Sequence, residues 1–534
     1  MNWNLPYPSV RQPVLARNVV ACSQPLAAQA GAAAFARGGN AIDAALAAAV
    51  TLTVVEPTMN GIGGDALALV WDGQRLHGLN ASGRAPAAWT PERFAGMASM
   101  PKNGWESVTV PGTVSAWAAL SERFGQLAFE DLFTDALRHA REGFPVSPVI
   151  ARQWTDQAIE LRDQPGFAAA FMPEGRAPRT GELWRFLDQA ETLHDIARSR
   201  GESFYRGALG RAIADFALVH GAALTTADLD AHRCEWVEPI GTDFRGVTVH
   251  EIPPNGQGVA ALMALGLLDH LPYDRAPAGS AERMHLEIEA MRVAFAELYA
   301  HVADAEHMRT TPAALLDPAY LKKRAAAIDP KRAGRYAAGQ PASGGTVYLC
   351  AADSAGRMVS YIQSNFKGFG SGVVVPGTGI ALHNRGMGFV TTPGHPNQVA
   401  GGKRPMHTII PAFMTERGKP RMAFGVMGGN MQAQGHLQMV LRSRVDGLNP
   451  QAAADAPRWR IDDEGVATVE PAMPAAVVDG LRGMGHELRV APAGNLDFGS
   501  AQLIARLDAE VAGSDAAVYA AGSDPRRDGQ AVGW

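Results

Sequence analysis

The sequence predicts an α+β fold, and three stretches carry that expectation. Near the N-terminus, two alanine-rich segments read as neighbouring capped helices. In the middle, His285 to Val302 has a strong helical period, with Ile288, Met291, Phe295 and Leu298 on one face. Further on, Thr346 to Asp353 is rich in Val, Tyr, Leu and Cys and reads as a strand. Ser354-Ala355-Gly356 is turn material, and Met358 to Gln363 returns as the second arm of a hairpin.

Taken in order, Ser23 is placed to cap a helix from Pro25 to about Arg37, which Gly38-Gly39 stops. Asn40 caps a second helix, Ala41 to about Thr51, with Asp43 in its first turn. Its alanines permit close packing, so it is expected inside. The apolar run Ala44 to Val55 reads as a buried helix passing into a strand, and its 12 residues are too few to span a bilayer. The glycine-rich loop Glu56 to Asp65 precedes a strand, Ala66 to Trp71. A phosphate loop does not fit, because Gly-Lys-Ser/Thr and the strand–loop–helix order are both missing. Close backbone contact at a buried turn is the better reading.

Leu76 to Asn80 is a short strand leading into the tight loop Ala81 to Pro86, which carries Arg84. Val108 to Thr113 reads as a strand and turn before a helix from Val114. Phe129 to Ile213 shows helical spacing with many charges, as surface helices do. Thr225 opens a capped helix, Trp236 to His250 alternates as strands, and Ile252 to Gly258 caps a helix from about Val259. Asp329 to Gly345 is polar, with the glycines and proline of a surface segment or any linker. Past the hairpin, Phe424 to Asn430 precedes a helix from about Met431 to Ser443. That order sets backbone N–H groups at a helix start, where an anion or an oxyanion binds; a plain strand–helix turn is the alternative.

Composition narrows the function classes. A chain that is 47% hydrophobic and 19% charged has ample material for a large core. A net charge of −5 gives no argument for nucleic acid or an anionic membrane as partner. Cys22, Cys234 and Cys350 form neither a metal pattern nor a disulfide framework, so a reducing compartment is expected. Met1 to Pro13 lacks the apolar centre of a secretory signal, so the expected location is cytoplasmic. Cys350 is expected to serve packing. No metal and no cofactor are expected.

Gly344-Gly345-Thr346, at the mouth of the hairpin, has a chemical consequence. If the Gly345–Thr346 bond is cut, Thr346 gains a free α-amine beside its own hydroxyl. The amine can then take the hydroxyl proton, the N-terminal-threonine form of nucleophilic catalysis. Gly345 has no Cβ, which lets the Thr346 hydroxyl approach its carbonyl for self-cleavage. Taken alone, a Gly-Gly-Thr before a strand is usually just a loop.

The order of these pieces resembles the γ-glutamyltransferase family of N-terminal-nucleophile hydrolases. The resemblance rests on Gly38 to Ala45, Pro57 to Gly64, Val110-Pro111-Gly112, the helix His285 to Tyr299, the Thr346 hairpin, Phe369 to Gly372, Lys403-Arg404-Pro405 and Gly428-Gly429. It covers nearly the whole chain. It implies a four-layer αββα sandwich formed jointly by two chains cut from one precursor, residues 1–345 and 346–534. It also implies that Thr346 is the nucleophile, that Ser364 replaces a second threonine bonded to it, and that Gly428 and Gly429 form the oxyanion hole.

The substrate-reading positions depart from the family pattern. The arginine that holds the γ-glutamyl carboxylate falls near Ser82, with Arg84 two places on. Gln-Met-Asp-Asp becomes Arg385-Gly386-Met387-Gly388, which removes the aspartate that reads the α-ammonium. The paired serines become His407-Thr408, and an asparagine becomes Phe366, beside Asn365. A site that has lost its anion and offers Arg84, Arg385 and His407 suits an amide with a carboxylate and no amine. These departures look like those of the oxamate amidohydrolase branch, enzymes of purine-ring breakdown. The expected activity is therefore self-processing followed by hydrolysis of a small acidic amide, oxamate first. The alternatives are a γ-glutamyltransferase or glutathione hydrolase with a rebuilt pocket and, in another class, an uncut binding protein. The expected partners are the acidic amide and the two cleaved chains, as a heterodimer or a dimer of heterodimers.

Overall fold

Strand alternation sets the layers. Val347, Leu349 and Ala351 share a face with Val20, Cys22, Ala66, Ala68 and Val70, and this face packs against helices. Tyr348, Cys350 and Ala352 face the other way with Val19, Ala21, Leu67 and Leu69, against Phe413 and Phe424 of a second sheet. Both faces of the hairpin are buried, which is why its sequence reads as an unbroken apolar run. The computed structural model describes residues 10–336, 346–462, 464–513 and 516–534.

Two seven-stranded antiparallel sheets form the inner layers. The first runs Gln530–Gly533, Val19–Cys22, Val347–Ala352, Met358–Ser364, Asp65–Trp71, Leu76–Asn80, Glu235–Val237. The second runs Val14–Ala16, Tyr519–Ser523, Ser500–Arg506, Lys419–Met427, Ala412–Glu416, Val247–Glu251, Ile240–Phe244. Each sheet takes strands from both sides of residue 346. Helices Pro25–Ala36 and Ala41–Val55 cover the first sheet, and Gly258–Leu268, Ala281–His301 and Met431–Val440 cover the second. The result is the expected α–β–β–α stack. Tyr348 reaches between the sheets: a Cβ on Gly425 would lie 2.4 Å from its ring, so only glycine fits there. No helix among the described residues is long and apolar enough to cross a membrane.

Several expectations need correction. Helix Pro25–Ala36 is capped by Gln24, whose Oε1 accepts from the N–H groups of Leu26 and Ala27. Ser23 instead donates its hydroxyl to Glu56 at 2.6 Å. Helix Ala41–Val55 does not pass into a strand. It is buried along its whole length, and packing overrides the strand preference of its β-branched end. Val108 to Val110 belongs to no strand; Val110 N–H donates to the Arg84 carbonyl instead. The helices between Phe129 and Ile213 are not merely superficial. They enclose a cluster that includes Trp154, Phe167 and Phe171, packed against Phe369. The loop before Asp65 does make the close backbone contacts expected of it: the Gly64 carbonyl accepts from Gly112 and Thr113, and a Cβ on Gly63 would lie 2.4 Å from the Ala381 carbonyl oxygen.

Candidate active site

Thr346 stands immediately before the strand Val347–Ala352 and is fully buried. Val347 pairs with Gln363, so the register sets residue 346 beside residue 364. The Thr346 hydroxyl donates to Ser364 Oγ at 3.3 Å, and Ser364 Oγ also accepts from Phe366 N–H at 2.7 Å. Gly345 lies outside the described residues. Cys350, further along the same strand, is buried, and burial pushes its thiol well above the ordinary range.

The second sheet supplies the next group. Strand Lys419–Met427 ends in Gly428 and Gly429, at φ +125° and +62°, conformations that favour glycine. Among the described residues neither glycine N–H has an acceptor. Helix Met431–Val440 starts there, so two donors sit at a helix N-terminus, as an oxyanion hole requires. From the first turn of that helix, Gln432 Nε2 donates to Thr346 Oγ1 at 3.2 Å. Gln257 Nε2 donates to the carbonyls of Thr408 and Gly429, tying the glycine turn to the His407-Thr408 segment.

Asp65 begins the strand paired with Met358–Ser364 and lies opposite Ser364 in register. Its Oδ1 accepts from Gly83 and Gly112 N–H, and its Oδ2 accepts from His407 Nε2 at 2.9 Å. His383 Nδ1 faces the same Oδ2 at 3.3 Å, and Arg385 Nε lies 3.8 Å away. Burial works to raise this carboxyl, but His383 and His407 outweigh it and hold it below the ordinary range. His407 Nδ1 accepts from Ile409 N–H, which leaves Nε2 as the donor of a neutral ring. Burial, helped by the charge of Arg385, pushes His407 down to about 3.

Arg385 is wholly buried, and burial pushes its guanidinium down to about 9 against the pull of Asp65. Nη1 donates to Thr408 Oγ1 at 2.9 Å, and Phe366 covers one face at 4.2 Å. Nε and Nη2 have no hydrogen-bond partner among the described residues. Phe366 itself has φ +77°, a conformation a bulky side chain seldom takes. Thr346, Ser364, Phe366, Arg385, Thr408, His407 and Asp65 therefore form one chain of contacts. Arg84 stands apart from it. Its side chain is 35% exposed and bonds to Asp304, Glu235 and the Gly402 carbonyl.

Sequence reasoning missed Asp65, His383, Gln257 and Gln432. The readable signal for Gln432 is a helix that is buried throughout yet carries Gln432, Gln434, His436 and Gln438. For metals, His285, Glu289 and His486 are the one group with suitable spacing among the described residues. Arg292 Nη1 already lies 2.7 Å from Glu289, so a cation there would meet a guanidinium.

Two antiparallel sheets stacked between helix layers, with a threonine immediately before an inner strand, are the arrangement of the N-terminal-nucleophile hydrolase class. Within it, the chain belongs to the gamma-glutamyltranspeptidase family, whose model matches residues 27–534. It is 34% identical over 520 residues to a glutathione hydrolase-like YwrD proenzyme of Bacillus subtilis, covering 95% of this chain and 97% of that one. It is also 34% identical over 522 residues to an oxamate amidohydrolase proenzyme of Klebsiella pneumoniae, with the same two coverages. The structure of a cephalosporin acylase from Bacillus halodurans matches with a TM-score of 0.94 and 45% identity, over 100% of this chain and 99% of that one. These identities set the oxamate branch no nearer than the others.

Proposed function

We propose that the chain is the precursor of a self-processing N-terminal-threonine amidohydrolase for a small amide that carries a carboxylate, with oxamate as the leading substrate. The observation that carries this reading is Arg385: a buried guanidinium, joined to the nucleophile through Ser364 and Phe366, with two N–H edges unpartnered. A carboxylate fits that fork as a charge-assisted pair. Among the described residues, no acid in the site is left to read an ammonium. Gly388 stands where the family has an acid, and Asp65 already accepts from Gly83, Gly112 and His407. Arg84 is engaged by Asp304 and Glu235, so Arg385 is the preferred anchor, supported by Thr408 and His407.

The chemistry follows from the placement. Cleavage at Gly345–Thr346 frees the Thr346 amine and yields chains of residues 1–345 and 346–534. Both contribute strands to both sheets, so they stay joined as a heterodimer, or as a dimer of these. Thr346 Oγ attacks the amide carbonyl while the α-amine takes its proton. Gly428 and Gly429 N–H groups hold the oxyanion, ammonia leaves, and water cleaves the acyl-threonine ester to give oxalate. A cytoplasmic setting belongs to the same proposal, in keeping with three unpaired cysteines. The 45% identity to the cephalosporin acylase favours a second reading, in which the acyl group is larger.

A panel of oxamate, glutaryl amides, glutathione and γ-glutamyl-p-nitroanilide tests this reading. The expected result is the highest kcat/KM for oxamate. A glutaryl amide in first place moves the proposal to the second reading. A tenfold lead for the γ-glutamyl compound, about 1.4 kcal/mol of transition-state preference, replaces it with a glutathione hydrolase or transferase.

A further inference from the structure

We infer that Gln432 is a catalytic residue: its side-chain amide donates to the nucleophilic oxygen of Thr346 and stabilises the charge that oxygen gains. This rests on Thr346 being the nucleophile. Gln432 is fully buried in the first turn of helix Met431–Val440, and its backbone N–H donates to the Gly429 carbonyl. One turn of chain therefore carries both the oxyanion glycines and this side chain.

The orientation of the amide follows from its other end. Gln432 Oε1 accepts from Ile410 N–H at 3.0 Å, and a backbone N–H can only donate. That contact fixes which end is oxygen and sets Nε2 toward Thr346 Oγ1 at 3.2 Å. The Thr346 hydroxyl in turn donates to Ser364 Oγ. The nucleophile thus has its proton directed one way and a lone pair held from another. As Oγ attacks a carbonyl it loses that proton and becomes the better acceptor. In the acyl-enzyme it is an ester oxygen, a poor acceptor, and it becomes charged again when water expels it. The Gln432 bond is therefore stronger in the transition states than in the ground states, and its contribution falls on kcat rather than on KM. The same holds for self-cleavage, where Oγ attacks the Gly345 carbonyl.

Gln432→Glu separates this role from a structural one. The carboxylate keeps an oxygen for Ile410 N–H but places an acceptor, not a donor, against Thr346. Self-processing, timed on a denaturing gel, needs no added substrate, so it reads the inference even if oxamate is not hydrolysed. The expected result is accumulated precursor and a processing rate roughly ten- to a hundredfold lower, the range for losing one bond to a group that becomes charged. The kcat for oxamate falls by a similar factor with little change in KM. Because a protonated carboxyl donates, the ratio of variant to wild-type rate rises as pH falls. Gln432→Met has no donor and shows no such recovery. If Gln432→Glu fails to fold, Gln432→Met carries the test through a slowed rate at an unchanged melting temperature. Processing within twofold of wild type in either folded variant overturns the inference, as does a loss in Gln432→Glu without pH recovery. A Thr346→Ala chain that still cleaves itself sinks the underlying assignment instead.

Discussion

If Arg385 holds the substrate carboxylate, removing it should cost rate in proportion to the bonds its free edges can make. Nη1 is committed to Thr408, which leaves Nε and Nη2 for the ligand. Two charge-assisted hydrogen bonds at about 1.5–3 kcal/mol each give about 3–6 kcal/mol. That is a loss of roughly 10² to 10⁴ in kcat/KM for Arg385→Ala. Arg385→Lys keeps a charge without the planar fork and should lose less. Stability interferes, because either change disturbs a buried charge beside Asp65. The assay therefore compares oxamate with oxamide, in which a neutral amide replaces the carboxylate. Their kcat/KM ratio cancels any loss of folded protein. The ratio should collapse in Arg385→Ala and fall part-way in Arg385→Lys, while self-cleavage continues. A ratio within threefold of wild type in both variants refutes the anchor. So does an equal loss on both substrates.

Two further outcomes can be measured simply. Wild-type protein should run as two fragments, the smaller beginning at Thr346, and Thr346→Ala should remain full length; an intact wild-type chain that is active removes the processing mechanism. Acid should destabilise the fold through His407. Its folded value of about 3 lies below the ordinary value near 6.5, so the unfolded chain binds the extra proton as pH falls between them. Stability is complete above that window and is lost downward through it, by up to about 1.4 kcal/mol per pH unit. His407→Gln, which keeps a donor for Asp65, should flatten the dependence of the urea midpoint between about pH 4 and 7; an unchanged slope counts against the assignment.

What could be read beforehand follows from how far each signal reaches along the chain. The Thr346–Ser364 pair was expected from the family resemblance, and in the structure it follows from the register of one hairpin whose two arms were legible in the sequence. The glycine turn before helix Met431–Val440 is likewise written in adjacent residues. Arg84 shows the limit. Its loop is legible as a tight turn, but the acids that engage it, Asp304 and Glu235, are brought in from distant segments. The second helix was legible in place and cap but not in length, because burial, not propensity, carries it to Val55.

Asp65 makes the same point at the centre of the site. In the sequence it is the last residue of a glycine loop, and nothing nearby demands an acid. Folding surrounds it with Gly83, Gly112, His383, Arg385 and His407, all from other segments. A cation as buried as Arg385 would be costly without that countercharge. The countercharge does not quench the guanidinium, because the 3.8 Å gap from Nε to Oδ2 is too long for a hydrogen bond and the fork stays open. Gly388, which the family resemblance sets against the last acid of Gln-Met-Asp-Asp, carries no charge, and the buried carboxylate near the arginine stands at the start of a core strand, 3.8 Å from Nε. If Arg385 binds the substrate carboxylate, as proposed, Asp65 is the countercharge that so buried a guanidinium needs, and Gly388 leaves no acid at its own position to meet an amine.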